Sequence, residues 1–242
     1  MTNTYDAKFY DDLRAGSKKS AEIVLPLLFS EIRPRSIVDI GCGTGAWLSV
    51  AKEKGVSDVL GLDGDYAKGS LQIGPDQFRA ADVSKGFVLD RKYDIAMCLE
   101  VGEHVRTEDS PLLVESLTKA ADVVLFSAGI PGQGGTHHIN EQWPEFWECL
   151  FRTRNFVRID CIRPLIYGNS AIEWWYRQNI LLYVKLEALH RFPRLEALQD
   201  RASDIVFVHR SLLERRYGFV RSLLSLLKDP LSTALSRLGL GR

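Results

Sequence analysis

The 242-residue chain has no run of apolar residues close to the ~20 needed to cross a bilayer, so it predicts no transmembrane helix. Its first stretch, "MTNTYDAKFYDDLRAGSKK", carries charge but no apolar core, and so predicts no secretory signal. Cysteine is scarce. Cys42, Cys98, Cys149 and Cys161 are the four, and no two have C-x-x-C spacing. That predicts reduced thiols in a cytoplasmic protein. Excess charge is also missing: 31 Lys and Arg balance 31 Asp and Glu. A chain neutral overall is not built to coat nucleic acid, and there is no strong nucleic-acid signature. No Gly-Lys-Ser/Thr follows the glycine-rich stretch near residue 41, which excludes a phosphate-binding P-loop there. Repeats and low-complexity tracts are absent.

What is present suits one α/β domain with an appendage. Apolar residues make up 45% of the chain, enough for a buried core. Apolar, β-branched runs at Ser36–Ile40, Val59–Leu62, Tyr93–Leu99, Val123–Ser127, Val157–Cys161 and Asn179–Val184 read as buried strands, with a further short strand around Phe78–Ala80. Helical patterns fall between most of them, at Ser20–Glu31, Trp47–Lys54, Pro111–Ala120 and Pro144–Arg154. Strands alternating with helices predict a parallel sheet covered on both faces. The last strands have a weaker helical interruption, which predicts an antiparallel edge strand. Beyond residue 186 the pattern changes. From Ile205 onward, seven Lys and Arg oppose Glu214 and Asp229, and leucines recur at helical spacing. A basic amphipathic helix of this kind suits its own domain, a second copy in a homodimer, a partner protein, or the periphery of an anionic membrane. The expected division is therefore a domain over 1–186, with N-terminal cap helices over 1–33, and a helical basic extension over 187–242.

The stretch "VDIGCGTGAW", Val38–Trp47, places Gly41, Gly43 and Gly45 between a strand and a helix. Glycines there let a ligand approach the backbone, and the helix N-terminus offers free N–H groups. Dinucleotide sites use a related loop with an acid ~20 residues on, and Asp63 stands at that distance. An NAD protein fits at this level. Asp39 argues against it, because a pyrophosphate gains nothing from a carboxylate before the loop. Asp39 instead suits a cationic ligand, or fixes the loop by accepting its N–H bonds. Further acids follow later strands: Asp82 beside Val83, and Glu100 after Leu99.

Strand-DIGCGTG-helix, then strand-Asp, acid, and strand-Glu resembles the class I S-adenosylmethionine-dependent methyltransferases. The resemblance is carried by residues 37–105 and extends through the strand order to about 184. It implies a Rossmann-like α/β fold with a mostly parallel seven-stranded sheet. It also implies S-adenosylmethionine as cofactor. Asp39, Gly41 and Gly43 would line its amino-acid portion, and Asp63 would take the ribose hydroxyls. Asp82 and Val83 would hold the adenine. Leu99 and Glu100 would floor the methionyl side. The N-terminal helix would add Tyr10 and Ser17.

A second constellation is "EVGEHV", with Glu100, Glu103 and His104 spaced i, i+3, i+4. A helix beginning here would put all three on one face. After the next strand comes "THHINEQW", with His137 and His138 on a glycine-rich loop. Two carboxylates and imidazoles suit a divalent cation with open positions. The E-x-x-E-H pattern with a distal His is similar to two methyltransferase branches: the small-RNA 2′-O-methyltransferases and the ubiquinone-biosynthesis O-methyltransferases. By that resemblance Glu100, Glu103, His104 and His138 are candidate ligands for Mg, Mn, Fe or Zn. Without a metal, His104, His137 or His138 is the candidate general base. Trp143, Trp147, Trp174, Trp175 and Tyr176 read as core packing or an acceptor wall, and Arg163 and Glu173 as candidate polar contacts.

The expected activity is S-adenosylmethionine-dependent methyl transfer to a hydroxyl of a small molecule, sugar or glycan intermediate. The competing readings are a NAD-dependent oxidoreductase and a non-catalytic scaffold docking through its basic tail.

Overall fold

The computed structural model describes residues 7–199 together with Val208 and Leu212, with side chains from Gly16 onward. The chain divides into two compact units, Met1–Val206 and Phe207–Arg242. The basic segment at the end of the chain lies outside the described residues, apart from those two positions. The first unit runs past residue 186. There a 3-10 turn over Leu186–Arg191 and a short helix over Pro193–Glu196 bury Ala188, Leu189 and Leu195 in its core.

The strands are β1 (Ser36–Ile40), β2 (Asp58–Asp63), β3 (Phe78–Ala80), β4 (Ile95–Leu99), β5 (Val123–Ser127), β6 (Phe156–Ile159) and β7 (Leu181–Lys185). They form one sheet in the order β3-β2-β1-β4-β5-β7-β6. Strand β7 is antiparallel to both β5 and β6, while the other pairs are parallel. This is the expected mostly parallel seven-stranded Rossmann-like sheet with its antiparallel edge. Both faces are covered, so the strands read as continuous apolar runs. Period-two alternation still decides which face each residue serves. In β4, Ile95, Met97 and Leu99 join one core, and Ala96 and Cys98 the other.

Helices α1 (Ala7–Glu31) and α2 (Ala46–Glu53) cover the first face through Val24, Leu25, Leu28, Trp47 and Leu48. Helices α3 (Ser110–Ala120) and α4 (Pro144–Arg152) cover the second through Leu113, Leu117, Trp147 and Phe151. The ring of Phe151 stacks on Tyr183 at 3.9 Å between centroids. Two further short helices, α5 (Arg163–Ile166) and α6 (Trp174–Asn179), precede β7. Asn179 thus ends a helix rather than opening a strand. Helix α1 begins far before the predicted Ser20 and keeps Pro26 inside it.

The strand order reverses between β1 and β4. Open α/β sheets bind ligands outside the carboxyl ends of their strands at such a switch point. The glycine loop follows β1 and Glu100 follows β4, so the topology sets both sequence motifs at one edge. Among the described residues no helix is long and apolar enough to cross a membrane. All four cysteines are free.

Candidate active site

The loop after β1 is held from behind. The N–H groups of Gly41 and Cys42 both donate to Leu62 O, at 2.7 and 3.1 Å. Gly41 has φ +75°, and a Cβ there would stand 2.3 Å from Val101 Cγ2. Gly43 has φ +55°, but a Cβ there would meet nothing within 4 Å. The first glycine is therefore required by packing, and the second opens onto free space. Gly43 N donates to Asp63 Oδ2 at 2.6 Å, and Gly64 N to Oδ1 at 2.6 Å. The hydroxyl of Tyr66 also donates to Asp63 Oδ1.

A cavity of about 200 Å³ opens beside this loop, lined by Ser17, Asp39, Gly41, Gly43, Trp47, Leu99 and Tyr176 among others. Tyr176 joins three elements there. Its hydroxyl lies 3.2 Å from Ser17 Oγ of α1 and accepts from Trp47 Nε1 of α2 at 3.4 Å. Burial pushes its phenol up to about 12. Asp39 is 3% exposed. Burial, and then the charge of Asp63, raises its carboxyl to about 8. An acid held at that value is poised to ionise when a cation arrives beside it.

Of the residues expected around a cofactor, Ser17, Asp39, Gly41, Gly43 and Leu99 meet at this cavity, with Asp63 just behind it. Asp82 and Val83 do not line it. Asp82 caps a 3-10 turn over Val83–Lys85, accepting from Ser84 N and Oγ and pairing with Lys85. The side chain of Tyr10 lies outside the described residues. Trp47 and Tyr176 complete the wall; only packing across more than a hundred residues reveals their roles.

The second motif is built differently from a helix face. Glu100 has φ +55°, and a 3-10 turn follows over Gly102–His104. The left-handed residue takes Glu100 off the helical face, although its charge still reaches Glu103. Its carboxylate accepts from Gln133 Nε2 at 2.8 Å and from Asn179 Nδ2 at 3.1 and 3.3 Å. Gln133 and Asn179 are themselves buried. Glu103, His104 and His138 come together instead, each offering a ligand atom within 4.8 Å of the others, with Glu100 outside the group. The imidazoles of His104 and His138 meet edge to face, 5.0 Å apart.

Glu103 is 0% exposed, and neither carboxylate oxygen has a hydrogen-bond partner among the described residues. Burial first, and then the charge of Glu100, raises its carboxyl well above the usual range. Burial first, and then His138, lowers the imidazole of His104. Both shifts disfavour charge in the cluster. Orphaned buried carboxylate oxygens are rare in folded proteins, and a divalent cation satisfies them directly. The donor set of one carboxylate and two imidazoles fits such an ion.

His137 contributes its backbone. It has φ +59°, an exposed side chain, and a carbonyl that accepts from His104 Nδ1 at 3.2 Å. Arg163 is a structural residue, not a substrate contact: it is 1% exposed and forks onto Asp160 at 3.0 and 2.6 Å. Trp147 is core, and Trp143 is 45% exposed.

A family described as "Methyltransferase domain" matches residues 13–156. Among solved structures, DesVI of Streptomyces venezuelae has a TM-score of 0.57 at 16% identity, covering 76% of this chain and 99% of that one. The sugar N-methyltransferase KedS8 from Streptoalloteichus sp ATCC 53650 has a TM-score of 0.58 at 15% identity, covering 76% and 97%. Magnesium protoporphyrin IX methyltransferase (ChlM) from Synechocystis PCC 6803 has a TM-score of 0.53 at 20% identity, covering 76% and 86%. At these identities the likeness to solved structures is one of fold. No curated protein matches.

Proposed function

The chain belongs to the methyltransferase-domain family, and from that premise we propose that it uses S-adenosylmethionine to methylate a hydroxyl of a small molecule or sugar-containing intermediate. Membership sets aside the NAD-dependent oxidoreductase, and the loop geometry around Gly43 disfavours a degenerate scaffold.

S-adenosylmethionine supplies an already activated methyl group, so the protein's task is alignment and removal of the acceptor proton. Gly43 leaves room for the cofactor to approach the backbone. Asp39 answers its positive charge by giving up a proton. Asp63 presents a carboxylate already oriented by two backbone N–H groups. Trp47, Leu99 and Tyr176 wall the methionyl side and exclude water there.

The observation that carries an oxygen acceptor is the cluster of Glu103, His104 and His138 at the carboxyl edge of β4. These three would hold a divalent cation through one carboxylate and two imidazole nitrogens. A bound ion would supply Lewis-acid polarisation of a hydroxyl. Nitrogen acceptors have less need of it. A second reading rests on the exposure of His104 and its lowered pKa: the neutral imidazole itself takes the acceptor proton.

Two experiments test these readings. The melting temperature is measured with S-adenosylhomocysteine and with NAD. Stabilisation by the first alone is expected; stabilisation by NAD alone sinks the proposal. Release of S-adenosylhomocysteine is then followed across a panel of hydroxyl and amine acceptors, with chelation and Mn²⁺ add-back. Turnover confined to amines removes the oxygen assignment, and full turnover under chelation selects His104 as base.

A further inference from the structure

The loop between β5 and α4 places three left-handed residues within six positions: Gly132 at φ +90°, Gly134 at +66° and His137 at +59°. The two glycines adopt it freely, whereas at His137 it persists only where surrounding contacts fix it. One side chain does much of the fixing. Glu141 accepts from Gly132 N at 2.6 Å through Oε2 and from Gly134 N at 2.5 Å through Oε1. Two backbone N–H groups curled around one anion form a nest. The same Oε1 lies 3.0 Å from His138 Nδ1. The backbone of Ile139 and Asn140 then donates to Glu103 O, at 2.9 and 3.0 Å, tying this loop to the turn that carries Glu103.

We propose that Glu141 is the positioning residue of His138: its carboxylate, fixed by Gly132 and Gly134, accepts a hydrogen bond from Nδ1–H and so holds Nε2 unprotonated toward Glu103. A carboxylate can only accept, so Nδ1 must donate and Nε2 must carry the lone pair. Nε2 then stands 4.0 Å from Glu103 Oε1. His104 is treated alike, since the His137 carbonyl that meets its Nδ1 can also only accept. One loop thus leaves the lone pair on Nε2 of both imidazoles, and the left-handed backbone at His137 serves that end. Free imidazole side chains favour the opposite tautomer, so the contact with Glu141 carries the choice. Gly135 leaves room for the ring: a Cβ there would stand 2.2 Å from His138 Nε2. The use of this arrangement as a cation site rests on the function proposed above, but the tautomer does not.

The test is long-range ¹H–¹⁵N correlation of histidine-labelled full-length protein at neutral pH in chelator, followed by Mn²⁺ titration. In the wild type, His138 is expected as the Nδ1–H tautomer. Glu141→Ala and Glu141→Gln are expected to move it toward Nε2–H and to weaken Mn²⁺ binding about 10- to 100-fold, the usual effect of losing a carboxylate behind a ligating histidine. A wild-type His138 protonated on Nε2 overturns the proposal without recourse to any variant. So does a folded Glu141→Ala protein with unchanged tautomer and unchanged Mn²⁺ affinity. A wild type that takes up no Mn²⁺ yet shows the Nδ1–H tautomer, lost in Glu141→Ala, removes the cation reading and leaves the role of Glu141 standing.

Discussion

His138 Nε2 lies 4.0 Å from Glu103 Oε1, a carboxylate oxygen with no solvent exposure and no hydrogen-bond partner among the described residues. An isolated buried carboxylate is costly, and the cost depends on its ionisation. Its pKa is raised in the folded chain, so the folded state holds a proton that the unfolded state releases. Stability in chelator must therefore fall as pH climbs above the ordinary carboxylate range.

Glu103→Gln removes that loss. In chelator its melting temperature is expected to exceed the wild type's, with the gap widening from about pH 5 to pH 8. Saturating Mn²⁺ at about 100 times Kd adds roughly 2.7 kcal/mol to the wild type, about 5–10 °C for a chain of this size. Glu103→Gln loses this increment, whereas Glu100→Gln keeps it, because Glu100 is engaged by Gln133 and Asn179. Differential scanning fluorimetry of the three proteins, with and without Mn²⁺, decides the matter.

The two loop glycines should fail in different ways. Gly41→Ala drives a methyl into Val101, and is expected to reduce soluble, cooperatively melting protein. Gly43→Ala meets open space. It incurs only the strain of a left-handed alanine, about 1–2 kcal/mol, but puts a methyl where the cofactor approaches. A folded Gly43→Ala protein with S-adenosylhomocysteine affinity reduced at least tenfold is expected by calorimetry.

On the expectation that Asp63 takes the ribose hydroxyls, Tyr66 competes with the ribose for one of its oxygens. The ring is 83% exposed, and its hydroxyl donates to Oδ1. Tyr66→Phe frees that acceptor. A net hydrogen bond of about 1 kcal/mol corresponds to a gain of about fivefold in S-adenosylhomocysteine affinity. Asp63→Ala removes the acceptor and the anchor of Gly43 together, and a loss of about 100-fold or more is expected in the same titration. Equal affinities for Tyr66→Phe and wild type would show that the tyrosine does not compete.

Asp39 couples the site to pH. Its carboxyl is raised to about 8, so the wild type loses stability between about pH 4 and pH 8 as the unfolded chain alone ionises. Asp39→Asn carries no such loss. Its melting-temperature advantage is expected to grow across that window and level off above it, reaching at least about 1 kcal/mol, or roughly 2–4 °C. The same variant is expected to bind S-adenosylmethionine more weakly at pH 8, because no carboxylate then faces the cationic amino-acid portion expected beside Asp39. Wild-type affinity rises with pH toward 8, and calorimetry in buffers of different ionisation enthalpy should register proton release on binding.

Much of the cavity beside the glycine loop is legible in the chain because it is local. A strand, three glycines and a helix are contiguous, and Asp63 follows at a distance that one βαβ unit fixes. Asp82 lies outside that cavity and caps Val83–Lys85, since an acid at a strand end also serves a turn. The acceptor side is less legible. Equal spacing suggests that Glu100, Glu103 and His104 act together, but one left-handed residue at Glu100 breaks the face. Of the paired histidines, neighbouring composition cannot say which supplies its ring and which its carbonyl.

The sequence by itself determined the fold class, the glycine loop and the acids behind it, because hydrophobic periodicity and glycine placement act over short stretches. Only the tertiary structure decided the rest. Tyr176 reaches Ser17 across 159 residues. Glu100 is engaged by Asn179, and Glu103 is buried beside it with two imidazoles. Those choices depend on which side chains share a buried space at the sheet's switch point. There an unpaired charge or a misdirected nitrogen costs more than any local propensity, so burial and partner geometry, not spacing, assign the roles.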